Sequence, residues 1–101
     1  MAVEQVEIAQ LQAVLALGAK LIDVREPHEF EDAHVAGAVL IPLTSVPDRL
    51  DEFRGGAPTY VICRSGARSL RACEYLAQQG IEAINVAGGM LAWIEQDQPV
   101  L

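Results

Sequence analysis

Positive charge is scarce in this chain: 7 Lys and Arg stand against 14 Asp and Glu, a formal net charge of −7. That balance excludes nucleic acid and anionic membrane surfaces as partners, because both are bound mainly through basic residues. Cysteine is also rare, with only Cys63 and Cys73, and their ten-residue separation matches no common metal-site spacing. Two thiols beside a full core do not form a disulfide scaffold, so free thiols in a reducing compartment are expected, with no metal and no cofactor. No uninterrupted apolar run approaches membrane-spanning length, and Met1 to Glu7 shows no basic region ahead of an apolar stretch. A soluble, cytoplasmic protein is the expectation. Repeats, low-complexity tracts and linkers are lacking too.

What remains is enough for a core. The 101 residues are 51% hydrophobic, which bounds the chain to a single domain spanning 1–101. Ile8, Leu11, Val14 and Leu15 recur at helical spacing with Gly18 as the stop, predicting an amphipathic helix after a possible short strand. Short apolar strands are predicted at Leu21–Val24, Ala38–Ile41, Thr59–Ile62 and Ala83–Val86. Short helices are predicted from Pro27 through Phe30 and from Pro47 to Phe53, the latter stopped by Gly55-Gly56. Leu70, Cys73, Leu76 and Ala77 mark a helix ending at Gly80, and a last helix carries Met90, Trp93 and Ile94 after Gly88-Gly89. Strands alternating with helices indicate an α/β fold, a mainly parallel central sheet flanked by helices on both faces, with ligands beyond the carboxyl ends of the strands.

Cys63 sits at such an end. The segment Cys63-Arg64-Ser65-Gly66-Ala67-Arg68-Ser69 runs from the strand Thr59–Ile62 into a helix. There the first helical N–H groups lack intrahelical partners and the helix dipole adds partial positive charge, so a thiolate is favoured over a thiol. Gly66 permits conformations closed to other residues, Ser65 and Ser69 supply hydroxyl donors, and Arg64 and Arg68 add cationic charge. Three of the seven basic residues, Arg64, Arg68 and Arg71, fall in one nine-residue stretch that starts at Cys63, so small anions are the natural ligand class. A buried structural cysteine needs none of these features.

Three segments together resemble the rhodanese family of sulfurtransferases, in particular its small single-domain members. They are Leu21-Ile22-Asp23-Val24-Arg25-Glu26 with the downstream Glu29-Phe30 and Ala33-His34-Val35-Ala36-Gly37-Ala38, the loop Cys63 to Ser69, and Val86-Ala87-Gly88-Gly89-Met90-Leu91-Ala92-Trp93. Ala33 departs from the glycine that many members carry before the histidine, a change in a turn. The resemblance implies that Cys63 carries sulfur as a persulfide, cradled by the main chain of Arg64, Ser65, Gly66, Ala67, Arg68 and Ser69. It also implies that Arg64 and Arg68 contact an anionic donor such as thiosulfate, and that cyanide or a thiol is the acceptor. A sulfur-relay protein fed by a protein persulfide is the alternative. A phosphatase or arsenate reductase is a weaker rival, because the oxyanion loops of that related fold are one residue longer than the four residues between Cys63 and Arg68. A non-catalytic binding module is weaker still, because inactive members usually lack the cysteine.

Other residues have plainer expectations. Asp23 and Arg25 are expected to organise the fold, and His28 and His34 to make hydrogen bonds in a helix and a turn. Cys73, on an apolar helical face, is expected to be inert, and Met90 and Trp93 to be core or pocket-wall residues. Glu29, Glu31 and Asp32 belong to an acidic segment, Glu26 to Asp32, expected to be a solvated face with protein docking as the alternative.

Overall fold

The apolar runs pair into one parallel sheet. The computed structural model describes residues 3–55 and 57–101. Its strands β1 (Gln5–Val6), β2 (Leu21–Asp23), β3 (Val39–Leu40), β4 (Thr59–Ile62) and β5 (Ala83–Val86) lie in the order β1-β5-β4-β2-β3. All four strand pairings are parallel, and Val61 of β4 lies between Ile22 and Asn85. Parallel neighbours need crossovers. These are α1 (Ile8–Ala16), α2 (Pro27–Asp32), a pair of 3-10 helices (Leu43–Asp48 and Leu50–Phe53) and α3 (Ala67–Gln78), with α4 (Gly89–Glu95) following β5.

Successive strand residues point to opposite faces, and the core divides accordingly. Ile22, Val61 and Ala83 pack with Val46, Phe53, Ala72, Cys73 and Leu76 on one face. Leu21, Ile62 and Ile84 pack with Ile8, Leu11, Met90 and Trp93 on the other. The sheet is therefore covered on both sides, as the sequence pattern predicts.

Several boundaries differ from the sequence expectation. The strand at Leu21 stops at Asp23, β3 spans only Val39–Leu40, and α2 continues past Phe30 to Asp32. The helix expected over Pro47 to Phe53 is instead two 3-10 helices that begin earlier, at Leu43, and break at Arg49. Pro47 lies inside the first of them and has no N–H to donate, so a continuous α-helical ladder cannot run through it. Of the Gly55-Gly56 stop, Gly56 lies outside the described residues.

The strand order also places the site. From adjacent strands β2 and β4 the chain departs in opposite directions, toward β3 and β5 respectively, which opens a crevice beyond their carboxyl ends. Buried Asp23 ends β2, and Arg25 just beyond it closes a bidentate pair on that carboxylate, with Nε at 2.9 Å from Oδ1 and Nη2 at 2.8 Å from Oδ2. The Arg25 side chain also donates to the carbonyls of Glu29 (3.2 Å) and Ala33 (2.7 Å), tying the middle and the C-cap of α2 to the sheet. The architectural role expected of Asp23 and Arg25 matches this geometry. Removing one partner would strand a buried charge, so Arg25→Leu is expected to lose about 3–5 kcal/mol of unfolding free energy, read from the denaturant midpoint. A loss below about 1 kcal/mol would show that the pair is dispensable.

Candidate functional site

Cys63 follows β4 directly and is 1% exposed. Gly66 is the N-cap of α3 and takes φ +106°, a conformation that favours glycine. In that conformation the Gly66 N–H points back at Cys63 Sγ, 3.1 Å away. The Ser69 hydroxyl, one turn into α3, approaches the same sulfur at 3.3 Å. Arg64, Ser65 and Ala67 are exposed around the loop, while Gly66 and Ser69 are buried beneath it.

The loop is clamped from behind by α4. The N–H groups of Met90 and Leu91 donate to the carbonyls of Cys63 (2.8 Å) and Arg64 (3.0 Å), so the helix supplies otherwise unpaired donors to loop acceptors. This close approach requires glycine at position 89, where a Cβ would lie 2.4 Å from the Cys63 carbonyl oxygen. Met90 and Trp93 are buried in the core, as expected.

A polar network continues inward from the serine. Ser69 Oγ also meets Asn85 Oδ1 and the Gly66 carbonyl (3.2 Å), and Asn85 Nδ2 reaches Gln5 Oε1 (3.0 Å) and the same Gly66 carbonyl (3.3 Å). Asn85 is 1% exposed on β5, yet both ends of its amide are engaged. The Gly66 carbonyl sets the amide's orientation, because an Nδ2 donor fits there and an oxygen would not. Sequence reasoning passed over Asn85. Its signal was a lone amide inside the apolar run Ala83–Val86.

Burial alone would raise the Cys63 pKa, but hydrogen bonds from the Ser69 hydroxyl and from the main chain of Ser69, Gly66 and Ser65 outweigh it and hold the pKa below the ordinary thiol value. Cys73 goes the other way. Buried on α3 and next to like charge at Cys63 and Glu74, it is pushed up to about 12.

Arg68 does not present its guanidinium freely. Its Nη1 and Nη2 lie 2.7 and 2.8 Å from the two carboxylate oxygens of Glu29, across the crevice from α3 to α2. Glu29 also accepts the N–H of Glu26 at 2.9 Å at the start of α2. The expectation that Glu29 belongs to a solvated face is therefore corrected for this residue: its side chain is 19% exposed and spent on Arg68 and the helix start. Glu31 and Asp32 are exposed as expected. His28 is exposed, while His34 stacks on Phe30 and pairs through Nδ1 with its carbonyl at 2.7 Å. Among the described residues no cluster of His, Cys, Asp or Glu could hold a metal ion.

Hollows of about 350 and 400 Å3 lie at the amino ends of β4 and β5, near Pro58 and Ile81, away from Cys63.

Comparison with known proteins agrees with this geometry. The rhodanese-like domain model matches residues 7–96, and the chain belongs to that family. A sulfurtransferase of Allochromatium vinosum is 37% identical over 82 residues, covering 80% of this chain and 77% of its own. The crystal structure of a rhodanese-related protein from Thermoplasma volcanium superposes with a TM-score of 0.89 at 31% identity, covering 97% of each chain. A rhodanese-like domain protein of Staphylococcus aureus gives 0.84 at 35% identity, covering 89% of this chain and 90% of that one. The fold is thus rhodanese-like and the family includes sulfurtransferases. Among the described residues no helix is long and apolar enough to cross a membrane.

Two outcomes follow from the loop. Because the Cys63 pKa is lowered, alkylation of Cys63 should persist at mildly acidic pH where an ordinary thiol is protonated, and Ser69→Ala should move the profile toward higher pH. An unshifted profile in Ser69→Ala would remove the hydroxyl from that role. Gly89→Ala, which forces the Cys63 and Arg64 carbonyls apart from α4, should cost about 2 kcal/mol or more by denaturation.

Proposed function

We propose that the chain, acting as one rhodanese-like unit over residues 1–101, is a sulfurtransferase that carries sulfane sulfur on Cys63. The observation that carries this reading is the convergence of the Gly66 N–H and the Ser69 hydroxyl on Cys63 Sγ at the start of α3. Donors arranged to stabilise a thiolate also stabilise the anionic outer sulfur of a persulfide.

In the loading half, the Cys63 thiolate attacks the outer sulfur of thiosulfate, the S–S bond of the donor breaks, and sulfite leaves with the bonding pair. The product is a Cys63 persulfide anion, so total charge is conserved. In the second half, cyanide or a thiolate attacks the outer sulfur, and the Cys63 thiolate is regenerated. No general base is required, because the nucleophile is already ionised. The loop residues Arg64, Ser65, Gly66, Ala67, Arg68 and Ser69 form the cradle. Arg64, which is exposed and makes no ion pair among the described residues, offers the guanidinium for an anionic donor. Arg68 adds charge while its fork is held by Glu29.

A second reading keeps this chemistry and takes a protein persulfide as donor, which places the chain in a sulfur relay. It is favoured by the hold of Glu29 on the terminal nitrogens of Arg68, which leaves fewer guanidinium donors for the sulfonate oxygens of thiosulfate. Either reading suits a reducing, cytoplasmic setting. Neither needs a cofactor or metal. The four-residue spacing from Cys63 to Arg68 argues against phosphatase or arsenate reductase chemistry, and the intact loop argues against a non-catalytic module.

Intact-mass measurement after incubation with thiosulfate should show a gain of one sulfur, mapped to Cys63. Thiosulfate-to-cyanide transfer should be lost in Cys63→Ala, falling by at least about a thousandfold, whereas folded Cys73→Ala should keep most of its activity. Substantial transfer by Cys63→Ala would overturn the assignment.

A further inference from the structure

An acidic protein that concentrates three of its few arginines around one cysteine then places a carboxylate on one of them. Glu29 grips the Arg68 fork through two short contacts, and the pairing is partly buried, with Glu29 19% and Arg68 32% exposed. Both oxygens of Glu29 are thereby committed, one of them also to the Glu26 N–H. The position is enforced from the sheet, because Arg25 donates to the Glu29 carbonyl.

The electrostatic consequence concerns the donor. Thiosulfate is a dianion that must approach a thiolate, so each cationic group at the loop matters to its binding. With Glu29 in place, the Nη1–Nη2 edge of Arg68 is taken and only its Nε side is left for sulfonate oxygens, while the carboxylate offsets the guanidinium charge and repels a dianion. A hydropersulfide, R–S–SH, has no sulfonate and suffers far less. Arg68 holds the Glu29 carboxyl well below its usual range, at about 2, so the carboxylate stays ionised at neutral and mildly acidic pH.

We propose that Glu29 is a specificity-determining residue, which by occupying Arg68 selects persulfide donors over dianionic thiosulfate. This rests on the sulfur-carrier reading of Cys63 and decides between its donor classes. With a hydropersulfide, the Cys63 thiolate attacks the outer sulfur, the donor S–S bond breaks, and the donor leaves as its thiolate. The proton stays on the transferred sulfur. Atoms and charge balance without an oxidant.

Glu29→Gln tests this. The amide oxygen can still accept the Glu26 N–H, whereas the amide nitrogen cannot hold the arginine fork, so Arg68 is released with the helix start kept. The readout is the ratio of kcat/KM for thiosulfate to that for the hydropersulfide of 2-mercaptoethanol, with cyanide as acceptor. That ratio should rise about tenfold in Glu29→Gln, through a gain with thiosulfate, and Glu29→Ala should move it in the same direction. Added salt should raise thiosulfate kcat/KM relative to persulfide kcat/KM more in the parent than in Glu29→Gln. A merely structural pair would lower both donors together and leave the ratio unchanged, which would overturn the proposal, as would a fall in the ratio. Mass measurement on the parent keeps the two readings apart. Failure of Cys63 to gain sulfur from either donor refutes the carrier reading, whereas sulfur gained with an unchanged ratio refutes only the role of Glu29.

Discussion

The loop around Cys63 is shaped by where its carbonyls go. Met90 and Leu91, in the first turn of α4, donate their N–H groups to the carbonyls of Cys63 and Arg64, and Gly89 lets the two backbones meet. With those carbonyls drawn toward α4, the chain can turn through the left-handed Gly66 and aim an amide at the sulfur. Two helices therefore act on one thiol. α3 supplies the donors that face it, and α4 holds the segment from which they project.

Stabilising an anion inside a protein of net charge −7 depends on local groups, since the overall field is unfavourable. The groups that do so at Cys63 are short-range hydrogen-bond donors, with the Ser69 hydroxyl foremost among those that lower the pKa. Asn85, itself held by Gln5, anchors the Ser69 oxygen from β5 and β1, and its Oδ1 shares the single hydroxyl proton with Cys63 Sγ, which links the edge of the sheet to Cys63. The arginines divide into different roles. Arg25 is locked in architecture, Arg68 is shared with Glu29, and Arg64 stands exposed at the mouth.

Much of this was legible in the residues themselves. The runs at Leu21, Thr59 and Ala83 became parallel strands because their apolar residues serve two cores at once, Ile22 facing one and Leu21 the other. Cys63 was legible because strand, glycine, serines and helix follow in order, and Cys73 because it falls on the buried face of α3. The 3-10 helices escaped detection, since Pro47 reads equally as the start of a helix or an obstacle within one. Glu29 was misread as solvated because local acidity says nothing of a partner 39 residues away. That contact exists only because β2 and β4 are adjacent and their connections diverge. Asn85 was hidden for the same reason: its role is defined by Ser69, which belongs to another element.

The central claim is that sulfur resides covalently on Cys63 between two separate half-reactions. A single-turnover experiment tests it most directly, in which donor-treated protein is freed of donor by gel filtration and then mixed with cyanide. The expected result is one equivalent of thiocyanate per loaded protein, with the Cys63 peptide returning to the mass of its free thiol. Loaded protein that yields no thiocyanate, or thiocyanate that forms only while donor is still present, would contradict a persulfide carrier and point to direct transfer between the two small molecules.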